Sequence, residues 1–502
     1  MNDLRYRNYL LLFLLSAVWS LLLFHYWSYD YGVYYNQAVN LSDDFRLYSG
    51  VFDTKGPLYF LFINKLSKII GVGIIQSYLT LCITVCLFFT SIYYIASTKT
   101  KKNFFLLFFF FISMLHQQNV NISLPLFQFA IQILSFFFLM ESFERKHLKN
   151  FNISCFLFIL SFFTKIDVIV YLPVYLLRIF FFKDIKIKAY SIILFLVQIL
   201  LIFLFLSYAL DFSLEDFWWH NYIFNSNASA GAWFREPFLK IFNSPFHIYV
   251  LMFTGVMVIF VEIFNEVLKK QKINFLNIFK QNSSTIKFIF QILIILMGGF
   301  IWLWSGTDKN YHVLMITLPL IFFISYNFQA LDKSSFKIIF FYLLTFFFFL
   351  ITLYPDTKNV ITNKCWKKQI YCNQINQYSG LIEDLKKHKS DDRDIFVIGS
   401  YAGWEYLLSD KKIHKSVTHY MLYVDILYDG KRIELEMPQY LIDDYNELIK
   451  KNKGFVFWIE TDLVNSVNTK KKGLVASKKL LQLLSISKQT ENLGKYYRYE
   501  IR

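Results

Sequence analysis

FDTKGPLYFLFINKL, residues 52–66, stands on the far side of a first apolar run and follows YDYGVYYNQAVNL, residues 29–41. Together the two stretches set an acid, Asp30, among aromatic rings and then turn the chain at Lys55, Gly56 and Pro57. Long apolar runs surround them in the first part of the chain, so this is where polar chemistry can be concentrated. The loop spanning residues 25–73 is the first candidate seat of a reaction.

The composition explains the surroundings. In a chain of 502 residues, 56% hydrophobic and 21% aromatic with 59 Phe, apolar runs recur that can cross about 30 Å of hydrocarbon, which excludes a soluble globule. The formal net charge of +16 does not indicate nucleic acid, because Lys and Arg cluster in short segments between the runs, as the positive-inside rule requires. The first run, residues 9–24, follows Arg5 and Arg7 as a signal peptide would, but it leads into further spans and lacks a small-residue cleavage site. A retained anchor is expected.

Spans are predicted near residues 8–26, 74–97, 103–117, 122–140, 151–164, 166–182, 189–210, 246–268, 286–304, 311–329 and 336–354, about eleven crossings by length. The basic segments at 99–102, 145–149, 183–188, 269–287 and 333–337 then share one side, the cytoplasm, with the amino terminus. Two spans, 151–164 and 166–182, are short enough to be a re-entrant pair. Residues 1–354 form the membrane part.

An odd number of crossings puts residues 355–502 outside. Charged helical stretches at 382–389 and 438–451 alternate there with β-type runs at 395–398 and 455–459, which predicts a small extracytoplasmic α/β domain. Cys365 and Cys372 are the only cysteines in it, at a spacing that can close a small disulfide loop in an oxidising compartment, with free thiols as the alternative. Cys82, Cys86 and Cys155 fall in apolar spans, where packing is the ordinary role.

The first outer loop holds Asp30, Asp43, Asp44, Asp53 and Lys55 among Tyr29, Tyr31, Tyr34 and Tyr35. A second, residues 211–247, carries Glu215, Asp216, Trp218, Trp219, His220, Trp233, Arg235 and Glu236. Rings interleaved with charges suit a sugar, which stacks on aromatic faces while its hydroxyls take directional hydrogen bonds. The same rings also serve as an interfacial belt. Asp30 lies just past the first span, where an unpaired carboxylate is poorly hydrated, and an acid at that depth is a functional candidate able to accept the proton of an attacking hydroxyl or amine.

The order of acid, aromatic-rich amphipathic segment and FDTKGPLYFLFINKL resembles the first outer loop of GT-C class membrane glycosyltransferases, relatives of the protein mannosyltransferases and of the lipid A aminoarabinose transferase. Lys55, Gly56, Pro57 and Leu58 stand where that group has a Lys-Pro-Pro-Leu-like element. LSFFTKID, residues 160–167, resembles its Leu-Thr-Lys element, and SGTDKNYHVLMITLPL, residues 305–320, its late segment with Tyr311 and His312 before a Pro-containing helix. The resemblance implies a GT-C-like fold and a donor sugar linked through phosphate to a polyprenyl lipid. It also implies a glycan or glycolipid acceptor, direct displacement with inversion, and a bacterial cytoplasmic membrane. It makes Asp30 the catalytic base or an acceptor-orienting acid and Lys55 and Lys165 the cations for the donor phosphate, with interfacial snorkelling as the plain alternative for both lysines. Tyr31, Tyr34, His116, His220, Arg235, Tyr311 and His312 are candidate donor or acceptor contacts.

Two departures bear on cofactors. Tyr31 stands where many relatives carry a second acid, and HQQNVN, residues 116–121, offers amides where relatives have an acid, so a divalent ion would find few hard ligands and no metal is expected, with a site on Asp30 and His116 or Glu215 as the alternative that no spacing rule supports. Walker, GxGxxG, CxxC and HExxH signatures are absent, and VIGSYAGWE, residues 397–405, reads as an ordinary strand-to-helix turn. A lipid-linked glycan flippase, a protein O-glycosyltransferase and a non-catalytic scaffold are the rival readings. A flippase would call for charges deep within spans, whose centres here are nearly free of them.

Overall fold

Among the described residues, helices dominate up to residue 332, and strands appear from residue 396 onward. The computed structural model describes residues 2–25, 34–35, 37–39, 41, 46–48, 55–72, 74–99, 123–143, 147–223, 283–304, 314–332, 380–381, 383–385, 387, 396–398, 423–428, 431–434, 437, 439–451, 456–465, 473–494 and 496–502. The chain divides into two units, one of residues 1–23, 81–204 and 232–359, the other of residues 24–80, 205–231 and 360–502.

In the first unit, α1 (Asn2–His25) buries Leu12, Ser16, Trp19 and Ser20, one face at helical spacing, and exposes Leu10, Phe13, Leu14 and Val18. Tyr9 meets Tyr93 and Trp19 meets Phe89 edge-on, at 5.1 and 5.4 Å between ring centroids, so α1 runs antiparallel to α3 (Ile74–Lys99). The helix between them in sequence, α2 (Pro57–Ile70), belongs to the second unit.

Three elements then form a polar seam inside an apolar bundle. α4 (Ser123–Glu141) and α5 (His147–Phe162) are antiparallel, and Ser135 and Ser154 each donate a hydroxyl hydrogen bond to the other's backbone carbonyl, both at 2.7 Å. Exchanges of this kind substitute for the hydrophobic effect, which does not act between helices in lipid. Ser135→Ala should lower stability by about 1 kcal/mol, since it removes the hydroxyl's bonds to the Ser154 carbonyl and to the Tyr175 hydroxyl and each interhelical bond in a membrane is worth roughly 0.6 kcal/mol. The check is the unfolding midpoint of the detergent-purified protein against that of Ser161→Ala, whose own link to the neighbouring helix is a single 3.5 Å contact with the Gln128 carbonyl.

The span expected at 166–182 is not one helix. Ile166–Tyr171 is a 3-10 turn, and α6 (Leu172–Phe180) starts beside Pro173, whose missing N–H and fixed φ suit the first turn of a helix and not its interior. α6 runs parallel to α4: Gln128 meets Asp167, Gln132 meets Tyr175 at 3.2 Å, and Ser142 meets Arg178 at 2.9 Å. At the Arg178 end the guanidinium also donates to the Ser142 carbonyl at 2.7 Å and lies between the rings of Phe143 and Phe182, 4.3 and 4.2 Å from their centroids. Tyr326 donates to Glu141 at 3.0 Å and accepts from Lys287 at 3.5 Å, so α9 (Ser283–Trp304) and α10 (Leu314–Asp332) close the same end.

Between these, α7 (Ile185–Leu210) exposes Ile193, Leu196, Leu200, Leu201, Leu204 and Phe205, a surface that only lipid would solvate well. Among the described residues three helices are long and apolar enough to cross a membrane, Gln76–Ile95, Leu124–Glu141 and Ile185–Leu210, with shorter apolar helices at Tyr9–Ser20, Leu148–Phe162, Ile286–Phe300 and Ile316–Tyr326. The expected spans at 103–117, 246–268 and 336–354 lie outside the described residues. Cys82 and Cys155 are buried and Cys86 half-buried, all three as free thiols.

The second unit contains a helix within residues 25–73, the first loop expected outside. α2 starts at Pro57 after an extended Gly56, buries Tyr59, Phe60, Ile63, Asn64 and Ser67 on one face, and stops at Gly71, whose φ of 89° only glycine adopts freely and whose N–H caps the Ser67 carbonyl at 2.8 Å. Its 14 residues are too few for the length criterion by which spans are recognised.

The carboxy-terminal part of this unit has two sheets. One has the order β1 (Phe396–Ile398), β4 (Val456–Glu460), β7 (Tyr496–Ile501), β6 (Ser487–Asn492), with β1 parallel to β4 and the other pairs antiparallel. The other has β2 (Val424–Tyr428) between β3 (Lys431–Ile433) and β5 (Gly473–Ala476), all antiparallel. α11 (Gln439–Lys451), α12 (Thr461–Asn465) and α13 (Lys478–Ser485) accompany them, and Tyr423, Tyr445, Phe457, Ile459, Leu480 and Leu483 are buried in a common core. Beside the β4–β7 ladder, Asp384, 2% exposed, accepts from the Trp458 indole at 2.9 Å and from Arg498 at 2.9 and 3.1 Å.

Candidate functional site

Lys55 sits at the entrance to α2, and the backbone around it is held from outside. Tyr48, fully buried and at a φ of 70°, donates its hydroxyl to the Lys55 carbonyl at 2.6 Å. A bulky residue pays of order 1 kcal/mol for that left-handed backbone, so its surroundings must enforce it. The Tyr48 ring lies over His220, 5.0 Å between centroids and 26° between planes, with Phe212 edge-on at 5.3 Å, and its oxygen accepts from Asn221 at 3.0 Å.

His220 and Asn221 are presented by residues 211–223, the start of the second loop expected outside. Ser213 opens α8 (Leu214–Trp218) through a capping box with Asp216: the Asp216 N–H donates to the Ser213 hydroxyl at 3.0 Å, and the Ser213 N–H to the Asp216 carboxylate at 3.1 Å. The helix widens into a π turn, Trp219–Ile223, which puts His220 and Asn221 inward, both buried. Trp219 packs against the core of the carboxy-terminal sheets. Arg46 and Asp211 add an exposed ion pair at 2.7 Å, a contact that contributes little on its own.

α2 also holds the segment that comes after Asp30. Asn64, buried on its inner face, donates to the carbonyls of Ala38 at 2.8 Å and Leu41 at 3.2 Å. Tyr34 is buried with Tyr59 and Phe60 edge-on to it at 6.4 and 6.0 Å. The helix therefore ties residues 34–41 to the turn at Lys55.

Lys165 lies in the other unit, in extended backbone between α5 and the 3-10 turn. Its ammonium pairs with Asp167, each side chain 16% exposed, and Gln128 donates to the Lys165 carbonyl at 3.0 Å and to the second Asp167 oxygen at 2.9 Å. A half-buried pair fixed by a third group is an ordered cation whose charge is partly compensated, and an arriving anion would have to share it with Asp167.

Of the residues proposed from sequence, Lys55, Tyr34, Lys165 and His220 are thus located, and the structure joins Lys55 and His220 through Tyr48. Asp30, Tyr31, His116, Arg235, Tyr311, His312, Cys365 and Cys372 lie outside the described residues. Among those described, no three His, Cys, Asp or Glu side chains converge as metal ligands would. Tyr48, Asn221 and Gln128 escape sequence reading; each acts through a contact distant in the chain, which spacing does not encode.

No protein-family model matches the chain, and no curated protein matches it in sequence. Solved structures do match. ArnT from Cupriavidus metallidurans bound to undecaprenyl phosphate superposes with a TM-score of 0.56 at 11% identity, over 98% of this chain and 97% of that one. The same enzyme in its apo state gives 0.44 at 10% identity over 99% and 98%, and archaeal oligosaccharyltransferase AglB from Archaeoglobus fulgidus, in complex with an inhibitory peptide and a dolichol-phosphate, gives 0.38 at 11% identity over 92% and 70%. The first likeness runs almost end to end, and it shows that this chain shares the fold of that structure, in keeping with the resemblance read from residues 52–66.

Proposed function

We propose that the protein is a membrane glycosyltransferase that moves a sugar from a polyprenyl-phosphate carrier to a glycan or glycolipid on the outer face of a bacterial cytoplasmic membrane. The observation that carries this reading is the end-to-end fold likeness to an enzyme captured with undecaprenyl phosphate, joined to a Lys-Gly-Pro turn at the head of α2. In the reaction the acceptor oxygen forms a bond to the anomeric carbon while the bond from that carbon to the phosphate oxygen breaks. Asp30 takes the acceptor's proton, and the lipid phosphate leaves with its charge met by Lys55, a role that the sequence resemblance gives to Lys165 as well. Attack opposite the leaving group inverts the anomeric configuration.

Residues 1–354 form the catalytic membrane part, with outer loops 25–73 and 211–247, and residues 355–502 an extracytoplasmic α/β domain. Two observations support this orientation. Glu141, Arg178, Lys287 and Tyr326, all expected at cytoplasmic ends, gather at one end of their bundle, opposite Lys165. Segments of both outer loops and the carboxy-terminal domain fall in one unit.

The test uses the purified protein in lipid nanodiscs with a panel of synthetic undecaprenyl-phosphate sugars and extracted envelope glycolipids. Product of inverted configuration is expected for one donor. Lipid scrambling without transfer across the panel, or product of retained configuration, would overturn the proposal.

A further inference from the structure

We propose that the carboxy-terminal α/β domain sets the position of Lys55 through a relay of Trp219, His220 and Tyr48, so that these are positioning residues for donor-phosphate binding. The inference rests on the reading that Lys55 meets the donor phosphate. Each link is a contact within the second unit. Trp219 packs on the core that includes Tyr423, Phe457 and Leu480. Its ring meets the neighbouring His220 edge-on at 5.0 Å, His220 stacks on Tyr48, and the Tyr48 hydroxyl holds the Lys55 carbonyl.

That hydroxyl acts on a hinge. The Lys55 carbonyl belongs to the peptide joining Lys55 to Gly56, and Gly56 alone would leave that peptide plane free to rotate. Pro57 fixes only the far side of the hinge. One hydrogen bond from a buried phenol, itself oriented by Asn221 and clamped by the His220 ring, removes the remaining freedom and so aims the Lys55 side chain. The π turn is the local device that makes this possible: the extra residue in the turn lets consecutive side chains, Trp219 and His220, reach the domain core and Tyr48 respectively.

The experiment measures binding of undecaprenyl phosphate to the full chain in nanodiscs, with unfolding midpoints recorded alongside. Lys55→Gln should bind about tenfold more weakly, and Tyr48→Phe, which keeps the ring and loses the hydroxyl, about three- to tenfold more weakly at a nearly unchanged midpoint, the size of one hydrogen bond. The double variant should be no weaker than Lys55→Gln. Trp219→Ala should resemble Tyr48→Phe, with binding restored in Trp219→Phe. Lys55→Gln binding like the parent would overturn the phosphate reading itself. Weakened Lys55→Gln with parental Tyr48→Phe, or losses that multiply in the double variant, would overturn the relay alone. Should Tyr48→Phe prove unstable, Asn221→Ala, combined with Lys55→Gln, makes the same comparison.

Discussion

Asp30→Asn should reduce sugar transfer by about 10²- to 10⁴-fold, the range that a positioned general base contributes, while undecaprenyl phosphate binding stays within a few-fold of the parent. The substitution keeps the volume and one acceptor oxygen and removes the capacity to take a proton. With the proposed roles, in which cations and not Asp30 meet the lipid phosphate, kcat should carry the loss. Asp30 comes five residues after the end of α1 in sequence, which is the basis for expecting it near the end of the first span, where a carboxylate would have few waters to compete with the acceptor for its lone pairs. Single-turnover transfer from the preferred donor, compared with equilibrium binding of the lipid, separates the two quantities. Equal losses in both would make Asp30 a structural or binding group, and unchanged transfer would remove it from the chemistry.

Asp384→Ala should destabilise the carboxy-terminal domain by about 3 kcal/mol, the lower end of what is lost when one member of a buried pair is deleted. The lower end applies because Arg498 also reaches Glu491 at 2.9 Å and is itself about one-fifth exposed. The Trp458 indole, by contrast, is buried in the middle of β4, where Trp458 and Arg498 are partners across the ladder, so the substitution takes an acceptor from an N–H that water does not reach. Asp384→Asn retains an acceptor and should lose about half as much. Thermal unfolding monitored by near-ultraviolet circular dichroism would register both. If Lys55 is aimed through Trp219, Asp384→Ala should weaken undecaprenyl phosphate binding as well, although residue 384 is remote from α2 in sequence.

The membrane class of the fold is legible because length and apolarity are local properties. Runs near 74–97, 122–140, 189–210 and 286–304 are helices with ends within a few residues of those expected. The GT-C resemblance is legible in a short motif because its Gly and Pro each impose a backbone requirement and its Lys supplies the charge. Features that depend on pairing stay hidden. β6 reads SKQTEN, with no apolar alternation, and is a strand only because β7 lies alongside it. α2 reads as part of a loop because 14 residues cannot span a bilayer, although its buried face repeats at helical spacing. Tyr48 looks like one more interfacial aromatic, since neither its φ of 70° nor its reach to Lys55 leaves a mark on neighbouring residues. The break before Pro173 has its signal in that proline; the pairing of Lys165 with Asp167 has one in their two-residue spacing, but its fixing by Gln128 has none.

The mutual Ser135–Ser154 bonds have a consequence for how the polypeptide enters the bilayer. Each hydroxyl finds its acceptor only at one relative height of α4 and α5, so sliding either helix by a single residue would rotate both hydroxyls away and forfeit the two bonds together. Such a two-point lock gives the hairpin a single vertical alignment before any later helix arrives. It can therefore act as a fixed ruler on which α6, with Lys165 above and Arg178 below, takes its depth.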